Sequence, residues 1–194
     1  MTATTVAGVT RPATTADALA AAAELAALIA PGAAERDRAG QVPRTELAAI
    51  DRSGLLGITV PAAHGGPDLP VTVMAEVVRR LARADSAVAQ ALQGHYLLVD
   101  AVRVRGQAAL QASLYREVLG GARLASALAE RSGSNAQDLH TRLRPAGSGW
   151  VLEGRKAYCT GALSARWLGV SALVGDRLYL AFVPREAPGV TLDE

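Results

Sequence analysis

The sequence has few cysteine, lysine and aromatic residues. It has one cysteine, one lysine and one phenylalanine, and aromatic residues make up 4% of its 194 residues. A single cysteine cannot form an internal disulfide, so we expect a reducing, cytoplasmic setting. The N-terminus shows no basic segment followed by an apolar one, so we expect no secretory signal.

Long apolar runs, charge blocks and nucleotide motifs are also missing. Residues 16–30 are apolar, but they are too short to span a bilayer and contain Asp17 and Glu24, which favours a core-facing helix and no membrane association. The net charge is +2, and the scattered basic residues have no interleaved aromatics, which argues against nucleic-acid binding. No Gly-x-Gly-x-x-Gly or phosphate-loop motif occurs. The three histidines are isolated from one another in sequence, so we predict no metal site.

Helical periodicity dominates the chain up to residue 121. Apolar residues recur every three or four positions, with breaks at glycine and proline. This pattern predicts helices over residues 14–30, 33–39, 44–52, 71–83, 85–103 and 106–119. Residues 1–13 are rich in Thr and Ala without periodicity and predict a disordered lead-in.

The hydrophobic period changes after Gly121. Short alternating runs predict strands over residues 123–128, 141–144, 150–153, 168–174 and 178–183, separated by turn residues. Helices followed by strands indicate an α+β chain. We therefore predict an α-helical domain over residues 14–121 and part of an antiparallel β domain over residues 122–194.

Two motifs flank the predicted hairpin in the β domain. The first is LAERSGSN at residues 128–135, and the second is GRKAYCTG at residues 154–161. In an extended strand, Tyr158 and Thr160 would face the same side and reach one ligand. The alternatives are an ordinary polar turn for the first motif and a plain cross-strand pair for the second.

This order of elements, together with both motifs, resembles the acyl-CoA dehydrogenase superfamily over residues 33–194. The closer resemblance is to its flavin-dependent monooxygenases, the dibenzothiophene and sulfur-acquisition (dimethylsulfone-type) enzymes. It implies reduced FMN or FAD as cofactor, O2 and a small organosulfur substrate, a flavin reductase as partner and a homo-oligomer, dimer or tetramer. Dehydrogenases carry Thr-Glu-Pro where Ala129-Glu130-Arg131 stand here, so an FAD-dependent acyl-CoA dehydrogenase is the alternative.

The resemblance also implies which residues meet the flavin. One wall comprises the segment that contains Ser126, Leu128, Ala129, Gly133 and Ser134, with Ser134 also matching a substrate-binding serine. The other wall is Tyr158-Cys159-Thr160, where the aromatic residue packs on the ring and the threonine hydrogen-bonds the flavin N5. We interpret the Cys159 side chain as core packing and not as a nucleophile, since no histidine lies near it in sequence.

A third segment lies on the predicted helix over residues 85–103. Gln90, His95 and Tyr96 resemble a Gln/His segment that lines the substrate pocket of the monooxygenases, which makes His95 the candidate catalytic residue. The alternative is that His95 is a structural or exposed histidine of the helix.

The resemblance covers only the N-terminal portion of the family's architecture. In the family the β domain continues beyond the position of Glu194, and a C-terminal helical bundle follows, which is absent here. A further interpretation is therefore an incomplete chain or a non-catalytic subunit.

Overall fold

A computed structural model describes residues 4–6, 9–131 and 138–193, and divides the chain into two compact units, Met1–Arg123 and Leu124–Glu194. The helices are α1 (Thr15–Ile29), α2 (Ala33–Arg38), α3 (Arg44–Arg52), α4 (Val71–Ala84), α5 (Ser86–Arg105) and α6 (Ala108–Leu119). The strands are β1 (Thr4–Val6), β2 (Val9–Arg11), β3 (Leu124–Ala127), β4 (Arg142–Ala146), β5 (Gly149–Glu153), β6 (Trp167–Val174) and β7 (Arg177–Pro184). The fold class, a helical region followed by a partial β domain, is confirmed.

The first helix begins where its sequence provides a capping box. Thr14 Oγ1 accepts a hydrogen bond from the Asp17 amide (3.2 Å), and Asp17 Oδ2 accepts one from the Thr14 amide (3.0 Å). Its buried residues recur at helical spacing and pack α1 against α4, whose buried residues do the same. They are Ala18, Ala22, Leu25 and Ile29 on α1, and Val73, Val77 and Leu81 on α4.

The helix α5 is the centre of the helical unit. Asp85 caps it by accepting hydrogen bonds from the amides of Ala87 and Val88 at 3.0 and 3.2 Å. Buried residues lie on more than one side of this helix, in contrast to the single stripe of a surface helix. None of the helices that the structure describes combines the length and hydrophobicity needed to cross a bilayer.

Within the predicted disordered lead-in over residues 1–13, the structure describes residues 4–6 and 9–13, and residues 1–3, 7 and 8 lie outside the described residues. The strands β1 and β2 form an antiparallel hairpin. Val9 is buried, and Arg11 Nε donates to the Leu119 carbonyl at 3.0 Å. Strands of three residues are too short to show a hydrophobic period, and their anchor lies more than 100 residues away in sequence, so local patterns could not indicate them.

The β unit is built around β6. This strand pairs parallel with β3, from Leu124↔Trp167 to Ala127↔Val170, and antiparallel with β7 through a tight turn. The predicted hairpin β4–β5 is present and adjoins β6 at Arg142↔Leu173. The sheet is therefore mixed and not purely antiparallel, because β3 and β4 run in the same direction as β6.

The β unit has its own small apolar core. It consists of buried alanines and β-branched or leucine side chains from β3, β6 and the turn that precedes β6, namely Ala125, Ala127, Ala162, Ala165, Leu168 and Val170. Leu152, Cys159 and Val183 pack against this core. The segment between β5 and β6, which carries the second motif, is thus attached to the sheet at Cys159.

Candidate functional site

The structure brings the two motifs of the β unit together. Ala129 and Ala157 form an isolated antiparallel bridge, and the Ala157 amide donates to the Ala129 carbonyl at 2.9 Å. The segment Leu128–Arg131 therefore runs beside the segment that leads into Tyr158. Residues 128 and 158 are far apart in sequence, so this contact depends on the intervening hairpin.

A buried ion pair lies directly beside this bridge. Lys156 Nζ is 2.7 Å from Glu130 Oε1, and the two side chains are only 7% and 3% exposed. The ammonium also donates to Ser171 Oγ at 2.9 Å and to the Leu128 carbonyl at 3.3 Å. Lys156 thus connects both motifs to β6.

The Glu130 carboxylate has further donors on its other sides. It accepts hydrogen bonds from the amide and hydroxyl of Thr141, at 3.0 and 2.6 Å, and from the His140 amide at 2.8 Å. Burial alone would raise the pKa of Glu130, but the bonds from Lys156, Thr141 and His140 outweigh it and hold the pKa at about 2. Glu130 is therefore an ionised carboxylate that holds Lys156, Thr141 and His140 in place, a role that the sequence did not predict.

Tyr158 adopts an unusual backbone conformation. Its φ is 56°, in the left-handed region that bulky residues seldom adopt, and the residue is 78% exposed. The Thr160 amide donates to the Tyr158 carbonyl at 3.0 Å, and Thr160 is also exposed. The predicted extended strand is thus a tight turn, because Ala157 forms only an isolated bridge and both Tyr158 and Gly161 (φ 80°) have a left-handed backbone.

A charged side chain lies beside the exposed aromatic ring. The guanidinium carbon of Arg131 is 5.7 Å from the centroid of the Tyr158 ring, within the range of a cation–π contact. Arg131 is exposed as well. The two motifs therefore meet at the surface as well as at the buried ion pair, and together they expose a ring, a hydroxyl and a positive charge.

The cysteine of the second motif lies on the inner side of this turn. Cys159 is half-buried and packs against the core of the β unit, and burial raises the pKa of its thiol. A thiol with a raised pKa is a poor nucleophile at neutral pH. These facts agree with the interpretation of Cys159 as a packing residue, so a contact with a cofactor would have to come from its backbone.

The remaining residues predicted on the first wall differ in their accessibility. Ser126 is half-buried on β3, whereas Leu128 and Ala129 are exposed. The carbonyls of Leu128 and Ala129 already accept hydrogen bonds from Ser171 Oγ and the Ala157 amide. The expected acceptors at the strand end are therefore engaged within the protein. Gly133 and Ser134 lie outside the described residues.

The residues predicted to line a substrate pocket do not share one face of α5. His95 is fully buried, and its Nε2 hydrogen-bonds the Leu56 carbonyl at 2.9 Å, while the Tyr96 hydroxyl donates to the Leu55 carbonyl at 2.8 Å. Gln90 is exposed. Burial lowers the pKa of His95 to about 4 and raises that of Tyr96. In the described residues, His95 and Tyr96 support the turn at residues 55–57 and do not form an accessible catalytic group.

Comparison with known proteins identifies the helical unit. The sequence model described as the acyl-CoA dehydrogenase N-terminal domain matches residues 16–122, more than half of the chain. The chain belongs to the acyl-CoA dehydrogenase family. Apart from the first residue of α1, the helices α1 to α6 lie within this match, so the family assignment rests on the helical unit and not on the two motifs.

The proteins that this chain is similar to include both monooxygenases and dehydrogenases. A probable FMNH2-dependent monooxygenase, SfnC of Pseudomonas putida, is 32% identical over 184 residues, which cover 90% of this chain and 44% of the relative. The dibenzothiophene monooxygenase of Rhodococcus erythropolis is 30% identical and covers 82% and 40%. A probable acyl-CoA dehydrogenase, fadE25 of Mycobacterium leprae, is 31% identical and covers 75% and 38%. The chain spans less than half the length of these relatives.

Solved structures agree with the family's fold. FMN-bound TdsC from Paenibacillus sp. A11-2 superposes with a TM-score of 0.81 at 28% identity, covering 89% of this chain and 45% of that protein. Butyryl-CoA dehydrogenase from Megasphaera elsdenii gives a TM-score of 0.80 at 22% identity, covering 90% and 49%. The second likeness concerns the fold alone.

Proposed function

We propose that this chain provides part of the flavin-binding surface of a flavin-dependent monooxygenase, which oxygenates a small organosulfur or related compound with reduced flavin and O2. The observation that carries the proposal is the Tyr158 turn. An aromatic residue is held 78% exposed on a left-handed backbone, beside a segment that a buried ion pair connects to it. Strained conformations of this kind cost about 1–3 kcal/mol and cluster at binding sites.

The exposed groups fit the chemistry of a flavin. An isoalloxazine ring is flat, with apolar faces and a polar edge, so its binding requires a ring or apolar side chain on a face and polar groups at the edge. Tyr158 would pack on a face of the ring. Thr160, exposed two residues later, would place its hydroxyl at the edge, and Arg131 would place positive charge beside the electron-rich reduced ring.

The bound reduced flavin would supply two electrons to O2, so that one oxygen atom enters the substrate and the other leaves as water. The protein residues would bind and orient the ring. Cys159 would keep the inner side of the turn attached to the core, and Glu130, ionised with a pKa of about 2, would not take part in proton transfer near neutral pH.

The similarity to proteins described as an FMNH2-dependent monooxygenase and as FMN-bound TdsC supports reduced FMN, with FAD as the alternative flavin. A reduced flavin that diffuses between proteins requires a flavin reductase, which is the partner that we propose. We further propose a homo-oligomer, as the resemblance to the family implies, and a cytoplasmic location, since the single cysteine suits a reducing compartment.

A second candidate function is that of an FAD-dependent acyl-CoA dehydrogenase. The observation that favours it is the 31% identity over 147 residues to the probable acyl-CoA dehydrogenase fadE25. The residue that argues against it is Ala129, because the dehydrogenases that this chain resembles carry threonine at this position. Bleaching of bound flavin absorbance by an acyl-CoA, without O2, would support the dehydrogenase and contradict the monooxygenase.

The proposal is tested by anaerobic titration of reduced FMN into the chain. We expect saturable binding that Tyr158→Leu weakens about three- to tenfold, since an aromatic stacking contact contributes about 0.5–1.5 kcal/mol. Tyr179→Leu, at a tyrosine of β7 that is 41% exposed, is the matched control and should bind like the wild type. Absence of saturable binding, or equal affinity in Tyr158→Leu, would contradict the proposal.

A further inference from the structure

We propose that Lys156 is the positioning residue of the candidate site, whose ammonium holds the Tyr158–Thr160 turn against the segment Leu128–Arg131. The inference rests on the proposed function in one respect, namely that a flavin meets this turn. The geometric part, that one buried ammonium determines where the turn lies, can be tested without any ligand.

The ammonium joins three separate stretches of the chain. A lysine has three N–H donors, and Lys156 has three acceptors within 3.3 Å: Glu130 Oε1, Ser171 Oγ and the Leu128 carbonyl. Ser171 Oγ in turn donates to the Leu128 carbonyl at 2.9 Å. All three donors are therefore accounted for, and the contacts form a closed set between the first motif, the second motif and β6.

The two partners of the ion pair are held in place differently. Glu130 is held independently of Lys156, since Thr141 and the His140 amide already donate to its carboxylate. Lys156 lies two residues before Tyr158, and the intervening Ala157 donates to Ala129. The fixed carboxylate thus locates the ammonium, and residues 156 and 157 together locate the exposed turn.

Burial makes this role sensitive to substitution. The Lys156 side chain is 7% exposed, so its ammonium does not reach a ligand on the surface and acts through its neighbours. Removing the ammonium would leave the Glu130 carboxylate buried without its counter-charge, which is far more damaging than losing an exposed ion pair. Arg155, the preceding residue, offers the contrast, because its ion pair with Asp193 is 89% and 80% exposed.

The first readout is hydrogen exchange of the Ala157 amide, measured without flavin. The variants are Lys156→Met, the charge-balanced Lys156→Met/Glu130→Gln, and the control Arg155→Met. We expect the Ala157 amide to exchange at least about tenfold faster in both Lys156 variants and unchanged in the control. The Val170 amide of β6 should keep its protection, which would show that the sheet is intact.

The double variant keeps the test decisive if Lys156→Met alone does not fold, because it leaves no buried unpaired charge. A folded Lys156 variant with wild-type exchange at Ala157 would overturn the proposal.

The second readout is reduced-FMN affinity, with the absorption spectrum of the bound flavin. A positioning role predicts weaker binding and a shifted flavin spectrum in the charge-balanced variant even where its stability matches the control. If that variant keeps the wild-type affinity and flavin spectrum, Lys156 does not position the turn for flavin binding, and this part of the proposal is overturned. If the wild type binds no flavin while Ala157 exchange accelerates as expected, the proposed function fails and the positioning of the turn stands.

Discussion

At the scale of single residues, His95 shows how burial determines what an ionisable group can do. Its imidazole is fully enclosed and bonded to the Leu56 carbonyl, and burial, with a smaller contribution from the charge of Arg123, lowers its pKa to about 4. Since a carbonyl only accepts, Nε2 carries the hydrogen. His95 is therefore neutral at pH 7 and part of the core.

This burial predicts a pH dependence of stability. The pKa rises from about 4 in the folded state to about 6.5 in the unfolded chain, so the unfolded chain binds more protons as the pH falls. The stabilisation is complete above pH 6.5 and should be lost toward pH 4, by about 3 kcal/mol in the free energy of unfolding. Denaturant unfolding across this range should show a flatter profile for His95→Gln. An equal slope for His95→Gln and the wild type would contradict the assignment.

Tyr158 predicts a conflict between stability and binding at one residue. Tyr158→Gly removes the cost of a left-handed backbone and should raise the free energy of unfolding by about 1 kcal/mol, while it lowers the affinity for reduced FMN. Tyr158→Ala removes the ring but keeps the strained conformation, so it separates the two effects. Chemical unfolding and flavin titration of both variants provide the measurement. Destabilisation by glycine relative to alanine would show that the conformation is not strained.

At the scale of elements, the N-terminal hairpin depends on a glycine at its docking point. Gly54 has φ 72°, and a Cβ built there would lie 1.8 Å from the Thr10 carbonyl oxygen of β2. Gly40 has a similar φ of 60°, with nothing within 4 Å of the corresponding position. The pair separates the cost of a left-handed backbone from the cost of a steric clash.

Gly54→Ala should therefore lower the free energy of unfolding by about 2–4 kcal/mol, whereas Gly40→Ala should cost about 1 kcal/mol. Thermal or urea unfolding of the two variants measures the difference. Equal effects of the two substitutions would contradict the docking of β2 on the residues that precede the turn at 55–57.

The same elements show what local patterns can and cannot predict. Helix bounds followed from apolar periodicity and capping residues, as with Thr14 and Asp17, because both signals lie within one or two turns of the chain. The β1–β2 hairpin and the turn at Tyr158 carry no such signal. Their conformations depend on contacts with Leu119, Gly54 and Ala129, which are distant in sequence.

At the scale of the whole molecule, each of the two units contains a buried group with a lowered pKa. The helical unit contains His95, with a pKa of about 4, and the β unit contains Glu130, with a pKa of about 2 against an ordinary value of 4.5. The carboxylate stabilises the fold above pH 4.5, and this contribution is lost as the pH falls toward 2.

We therefore expect the helical unit to weaken first, between pH 6.5 and 4, and the β unit to follow between pH 4.5 and 2. Both tryptophans, Trp150 and Trp167, lie in the β unit, so their fluorescence reports on it. Circular dichroism at a helical wavelength reports on the helical unit. Coincident acid transitions of the two signals would contradict separate titration.

The hydrophobic period of the sequence changes near residue 121, and the chain divides into two compact units after Arg123. The family was predictable from two motifs and the order of elements, and the match over residues 16–122 confirms it. The buried role of Glu130 was not, since only the folded chain brings Lys156, Thr141 and His140 around one carboxylate.

We propose that the Tyr158 turn and the Leu128–Arg131 segment form a flavin-binding surface. The most direct measurement is an intermolecular nuclear Overhauser effect between the Tyr158 ring protons and the methyl protons of the isoalloxazine, in the chain saturated with FMN, with Tyr158→Leu used to assign the signal. We expect a cross-peak that disappears in the variant. A saturated complex whose flavin contacts only residues of the helical unit would contradict it.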